Sequence, residues 1–407
     1  MAKAFNFNSK PLSQESSVFL NIVRVTACEL VVLCHFLTRY QPVPWDALFR
    51  LGSTMGGAAV LLFFVLSGLL VSYSLFNKLG NSEYRFRHFF VDRFSRIYSG
   101  LVPALLLAAV LAVIMYVTNY GYFMELCTMQ SMPSPLNFAM TLGMLEQRFP
   151  TAFFNTLLSP LGFSSTIPDV TAFGFNGILW TLVVEWWIYM VFGWVIIGSL
   201  ALVGKRKRSN SYKAAFFVVA ALLSLPLVGM FEQSSSLIIV WFVGVVMMLA
   251  ISSETVRTKL SNPLVIRALG VLFGLSLASA FLAAYVAFAW TNQFYDLSLG
   301  IALSMSVFLG VLFFSVPDFK RPSSLLTNSR IASWSATGAC FSYTLFLTHY
   351  PIIIFLAGLN LPFNRFLMLI PILLITNVTA FCLARFTEQK HKAVAKTIKR
   401  WLHISEC

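Results

Sequence analysis

Apolar runs of about 20 residues recur along this 407-residue chain, and each is long enough to cross the hydrocarbon core of a bilayer as an α-helix. About ten can be delimited, near residues 18–38, 57–76, 99–118, 178–200, 213–231, 236–251, 265–289, 294–316, 339–358 and 365–385. Inside a bilayer every backbone N–H and C=O must find a partner within the protein, so such runs fold as a helical bundle. The composition agrees: 58% of residues are hydrophobic and only 11% are charged, against roughly 25% charged in soluble domains. The reading is one all-α polytopic membrane domain over 18–385. A polar segment, 1–17, precedes it and a basic tail, 386–407, follows.

Orientation follows from the positive charges, which collect on the cytoplasmic side of membrane proteins. Lys78, Arg85, Arg87, Arg93 and Arg96 fall between spans two and three, and Lys205–Arg208 with Lys213 between four and five. Arg257 and Lys259, then Lys320, Arg321 and Arg330, then Lys390 to Arg400 complete the set on that side, against Arg39 and Arg50 on the other. Both termini are therefore expected in the cytoplasm. The net charge of +14 suits cytoplasmic loops and lipid headgroups, and nucleic acid is not an expected partner. The first run carries Arg24 and Glu29, so it reads as a retained span and not as a cleaved signal peptide. The long outer segment near 119–177, with Pro133, Pro135, Pro150, Pro160, Pro168 and the patch FFNTLLSPLGF, is expected to dip into the outer leaflet and cover a cleft. None of the six cysteines forms a Cys-x-x-Cys pair, so neither a disulfide framework nor a metal site is expected.

Within the first span, the stretch RVTACELVVLCH places an arginine, a glutamate and a histidine at membrane depth. Eleven helical steps bring His35 to within about 20° of the face of Arg24 and roughly 16 Å further along the axis. Ionisable groups at such depth face a protein interior or a wet cavity, so this stripe is expected to line a reaction tunnel. His35 is the candidate acid or base, the plainer alternative being a histidine bonded to a neighbouring helix. Cys28 and Cys34 do not reach His35 on one helix, which disfavours a Cys–His dyad. Glu29 points elsewhere, toward a cation on another span or a structural role.

In RFRHFFVDRFSRIYSG, Arg93 and Arg96 share a helical face at the cytoplasmic mouth beside Tyr98, where planar guanidinium groups suit phosphate oxygens. Arg85 and Arg87 read as interfacial anchors, and His88 as a solvated loop residue. Gly56, Gly57, Ser67 and Gly68 in span two permit close helix approach, or a bend beside a ligand. Glu185, among Trp180, Trp186 and Trp187, must be paired, protonated or wet. Asp296 is read as a solvated border residue, and His391 and His403 as tail residues near headgroups. His349, with Ser342 and Tyr343 before it and Pro351 after it, marks a wet, kinked outer end of span nine.

The ordered set RVTACELVVLCH, FFVLSGLL, DRFSRIY, LWTLVVEWWIY and FSYTLFLTHYP resembles the acyltransferase-3 family of integral membrane O-acyltransferases. The resemblance implies transfer of an acyl group, usually acetyl from acetyl-CoA, to a hydroxyl of a carbohydrate or glycolipid at the inner membrane, without a metal. By position it makes His35 the catalytic histidine with Glu185 beside it, and Arg24 its motif partner. Arg93 and Arg96, with Tyr98, would hold the coenzyme, and Ser67, Trp180, Tyr343 and His349 would support the site or the acceptor. Leu61, Ser99 and Trp186 depart from the family pattern and bear on the acceptor subgroup. A polytopic transporter or flippase is the competing reading, and a scaffold for surface-polymer assembly a third.

Overall fold

The computed structural model describes residues 12–40, 46–81, 83–130, 132–145, 171–203, 209–254, 256, 262–291, 295–315, 326 and 328–405. Among them are ten helices long and apolar enough to cross a membrane, and no strand. The basic cluster Lys205–Arg208, Arg257, Lys259, Lys320, Arg321, the patch FFNTLLSPLGF and Pro150, Pro160 and Pro168 lie outside the described residues, as does most of segment 1–17.

Helix α1, Gln14–His35, is capped by the Ser13 hydroxyl accepting from the Ser16 amide and runs on into a π-helical turn at Phe36–Tyr40. The next two are α2, Asp46–Lys78, and α3, Phe86–Thr118. Two short helices follow, α4, Tyr120–Gln130, and α5, Pro135–Leu142. Then come α6, Trp180–Val203, α7, Asn210–Gly229, α8, Phe231–Ser252, and α9, Pro263–Val286. The series closes with α10, Leu297–Phe314, α11, Ser329–Gly358, α12, Leu369–Phe386, and a last short helix α13, His391–Trp401.

Helices α2 and α11 form the centre. Leu61, Val65 and Leu69 on α2 and Leu347 and Ile353 on α11 are fully enclosed. Helices α7 and α9 form the rim and turn Phe217, Leu272 and Phe281 outward, as a lipid-facing surface requires. Backbone contact between α2 and α8 is made possible by two glycines. A Cβ on Gly68 would sit 1.9 Å from the Trp241 carbonyl oxygen, and one on Gly244 would sit 2.4 Å from that of Val65. Close helix approach is thus the role of Gly68.

Helices α2 and α3 start at Asp46 and Phe86, well before the 57 and 99 suggested by hydropathy. Their first turns carry Asp46, Arg50, Arg87 and Arg93, which lower hydropathy without opposing helix formation. His88, expected in a solvated loop, is instead buried in the first turn of α3. Its Nδ1 accepts from the Arg85 amide at 2.9 Å while the His88 amide donates to the Arg85 carbonyl, a reciprocal cap that satisfies two otherwise free groups. Asp296, expected to be solvated, is buried as the N-cap of α10, its carboxylate accepting from the Leu299 amide at 3.0 Å. Glu29 meets the amide of Asn377 on α12 at 3.3 Å and not a cation.

The outer segment contributes α4, α5 and two 3-10 turns at Phe173–Phe175 and Gly177–Leu179. Between those turns, Asn176 is fully buried and its Nδ2 donates to the Leu347 carbonyl at 2.9 Å. Pro351 has no N–H to offer that carbonyl, so Asn176 supplies the donor that the α11 ladder lacks there. The proline that interrupts α11 is what docks the turn before α6.

The tail is part of the structure and not a loose appendage. Helix α13 lies against the start of α3, with Ala395 and Ile404 enclosing Val91. Asp92 on α3 binds Lys399 of α13 at 2.7 Å and Lys78 at the end of α2 at 2.6 Å, and accepts from the Tyr84 hydroxyl at 3.2 Å. One carboxylate thereby ties three segments together.

Candidate functional site

A cavity of about 590 Å³ opens among α1, α2, α3, α6, α11 and α13. Its longest wall is a stripe on α2: Val60, Phe63, Phe64, Ser67, Leu70, Val71, Ser74 and Lys78 recur at helical spacing. From Val60 to Lys78 that stripe covers about 27 Å, nearly the thickness of a hydrocarbon core. The basic end is walled by Lys78, Asp92, Arg93, Arg96, His391 and Lys392, and the middle by Arg24, Glu185, Tyr189 and Tyr343.

The charges of that basic end are unequally used. Asp92 is shared by two lysines. Glu388, just past α12 and fully buried, lies 2.9 Å from Nη2 of Arg96. Its other oxygen accepts from the Thr344 amide at 3.0 Å and hydroxyl at 2.8 Å. The Arg96 guanidinium also lies over the Tyr343 ring, 5.7 Å from its centre, and Tyr343 donates to the Ile97 carbonyl at 3.1 Å. Arg96 is thus held from two sides. Arg93 and Arg24 meet no carboxylate within ion-pairing distance among the described residues. Arg93 rests over Phe89 and its buried Nε has no hydrogen-bond partner. An anion entering the cavity would meet two guanidinium groups that no carboxylate contacts directly.

Glu185 belongs to a hydrogen-bonded chain. Tyr189 donates to Glu185 Oε1 at 2.5 Å and Trp241 Nε1 donates to Ser67 Oγ at 3.1 Å. Ser67 Oγ and the Tyr189 oxygen are 2.7 Å apart, and since the tyrosine proton is committed to the carboxylate, Ser67 is the donor there. The close α2–α8 contact at Gly68 brings Trp241 to Ser67, which links a packing feature to the polar lining.

His35 lies beyond this cavity. Its ring stacks on that of His349 with centres 5.3 Å apart and meets Tyr350 edge-on at 4.7 Å. His349 is fully buried with Nδ1 2.9 Å from the Leu345 carbonyl, so that nitrogen is the N–H donor. His349 Nε2 and His35 Nδ1 are buried without partners, and such atoms are costly unless something fills the space beside them. Phe63 and Phe346 meet edge to face with centres 5.5 Å apart, and both line the cavity. Phe346 also reaches the His349 ring, 6.2 Å away. Gly56 on α2 fixes the level of His35, because a Cβ there would sit 2.4 Å from the sulfur of neighbouring Cys34. Val60, the last cavity residue on that stripe, is one helical turn away, roughly 6 Å.

Sequence-selected residues therefore separate into three places. Arg24, Arg93, Arg96, Ser67, Glu185 and Tyr343 line the cavity. His35 and His349 form the second cluster. Tyr98 and Trp180 lie outside both: Tyr98 stacks on Phe94 at 4.1 Å and donates to the Leu142 carbonyl, and Trp180 meets Tyr295 at 5.5 Å. Glu388, Asp92, Lys392 and the Phe63–Phe346 pair did not stand out in the sequence. His391, expected among lipid headgroups, lines the cavity, because Nδ1 donates to the Glu388 carbonyl at 2.7 Å and holds the ring inward.

A family model described as an acyltransferase domain matches residues 17–385, all but the first 16 and last 22 residues of the chain. No curated protein and no solved structure matches.

Proposed function

Because the chain belongs to the acyltransferase-3 family and is a multi-pass membrane acyltransferase, we propose that it moves an acetyl group from cytosolic acetyl-CoA to a hydroxyl of an extracytoplasmic or lipid-linked carbohydrate. The observation that carries this reading is the division between a basic cavity and a buried, stacked imidazole pair beyond it. A coenzyme with several phosphates and a long slender arm needs cations at its entry and an apolar passage for its thioester. Arg93 and Arg24 offer the first, and the α2 stripe of Phe63, Phe64, Leu70 and Val71 offers the second. With its basic residues at the cytoplasmic face, the chain sits in the inner membrane and its cavity opens to the cytosol.

In the reaction, the acceptor oxygen attacks the thioester carbonyl and an imidazole takes the hydroxyl proton. The C–S bond then breaks, the coenzyme leaves as a thiolate that recovers a proton, and the acetyl ester remains on the acceptor. His35 Nδ1 and His349 Nε2 are the imidazole nitrogens without protein partners, and the proton passes to His35 with His349 stacked behind it. Glu185, held by Tyr189, places a carboxyl group midway along the arm, on the same cavity as Arg24. The thioester reaches His35 only when Phe63 and Phe346 part, so this aromatic pair separates bound donor from reactive donor.

The test is release of free coenzyme thiol by purified protein in liposomes given acetyl-CoA and a membrane glycan extract, followed by mass spectrometry of the extract. The expected result is thiol release matched by a mass gain of one acetyl group. Flux of an anionic solute without thioester consumption would instead support a transporter.

A further inference from the structure

We propose that the tail helix α13 completes the donor site: Lys392 is a ligand for the phosphates of the coenzyme, and Glu388 is the residue that positions Arg96 toward them. This deepens the acyl-CoA reading above and rests on it. The family match ends at residue 385, so neither residue belongs to the matched domain.

The argument starts from the helical period. Lys392 and Lys399 are seven residues apart, which returns them to within about 20° of one face of α13. Lys399 is buried on that face and locked to Asp92, and Ala395 between them is buried against α3. The face is turned to the bundle at Ala395 and Lys399. At its upper end it meets the cavity, where Lys392 and Ala395 form wall. Lys399 has spent its charge on Asp92. Lys392 meets no carboxylate within ion-pairing distance among the described residues and stays exposed at the cavity mouth. An unpaired ammonium on a four-carbon stem, facing the opening that Arg93 also lines, suits a mobile phosphate better than a fixed one.

Glu388 explains why the tail must be in place. It is fully buried, with one oxygen ion-paired to Arg96 and the other hydrogen-bonded to Thr344. Its carbonyl also orients His391. The chain leaving α12 thus carries the counter-charge that holds Arg96 and, four residues later, a cation of its own.

The experiment measures binding of CoA and of pantetheine, which keeps the arm and lacks every phosphate, to the full-length protein in detergent. Wild type is compared with Lys392→Ala, Lys392→Arg and, as a control on the outer face of the same helix, Arg400→Ala. The expected result is about a tenfold weaker Kd for CoA in Lys392→Ala, near-wild-type binding in Lys392→Arg, and no change for pantetheine or in Arg400→Ala. Equal CoA binding by Lys392→Ala, or an equal loss of pantetheine binding, overturns the assignment. Wild-type protein that binds no CoA overturns the donor reading itself, a different failure from the first two.

Discussion

The two ends of the reaction path are built from opposite materials. The basic end is charged and held by the paired groups Asp92–Lys399 and Glu388–Arg96, with no ion-pair partner for Arg93, Arg24 and Lys392 among the described residues. The far end holds no ion pair among the described residues: it is two stacked imidazoles beside Tyr350, with the Arg39 guanidinium over the tyrosine ring, 5.8 Å from its centre. A charged site binds a polyanion well but would hold an imidazole in the wrong environment for accepting protons. An enclosed aromatic site keeps water and the polyanion away from the imidazoles. On the proposed function the contrast separates binding from chemistry, so mutations at the two ends should fail in different ways.

The largest effect should come from the far end. His35→Ala is expected to lower acetyl transfer by roughly 10²–10⁴-fold while leaving CoA binding near wild type. A comparable loss of CoA binding would erase the distinction between the ends. Next, Glu388→Ala leaves Arg96 beside a buried site without its counter-charge and should cost about 3 kcal/mol, the low end for such pairs because Arg96 borders the cavity. A thermal melt that shifts by less than a degree would show that the tail does not hold the basic end. Arg93→Ala should weaken CoA binding by about ten- to a hundredfold, more steeply at low salt, with transfer at saturating donor retained. Loss of maximal rate without loss of affinity would move Arg93 from binding to chemistry. Phe346→Leu thins the wall at a cost on the order of 1 kcal/mol and should raise acceptor-independent thioester hydrolysis several-fold. The smallest change is expected for Tyr98→Phe, whose hydroxyl serves only the Leu142 carbonyl: about 1 kcal/mol of stability and no change in donor affinity.

Much of the bundle was legible because a bilayer leaves few choices. Ten apolar runs became ten helices, but of the stripe expected to line one tunnel only Arg24 borders the cavity, and His35 lies outside it. Tyr98 could have been set aside from spacing alone. It stands two residues past Arg96, about 200° around the helix, and the structure places it on the α5 side of α3. Glu388 was hidden by a different cause. Hydropathy ends the last span at 385, so a carboxylate three residues later reads as part of a solvated tail. The usable signal was that it is the only acidic residue between Phe386 and Arg400, with apolar and small residues recurring at helical spacing after it. The docking of Asn176 onto Leu347 could not be read locally, since it joins residues 171 apart, although Pro351 did announce that some carbonyl on α11 needed an outside donor. The Phe63–Phe346 wall was equally non-local: among 40 phenylalanines nothing in the sequence marks which two meet.

The most direct test of the path itself is to send a reactive donor along it. Bromoacetyl-CoA enters as the natural thioester does and alkylates a nucleophile where its acyl group comes to rest, with an imidazole C–N bond forming as bromide leaves. Peptide mass spectrometry of the labelled protein should find the coenzyme-bearing adduct, or the carboxymethyl group left after its thioester is hydrolysed, on His35 or His349, protected by excess acetyl-CoA and much reduced in Arg93→Ala. Labelling confined to the basic end, at His391 or the lysines around it, with both deeper histidines untouched, would contradict the account.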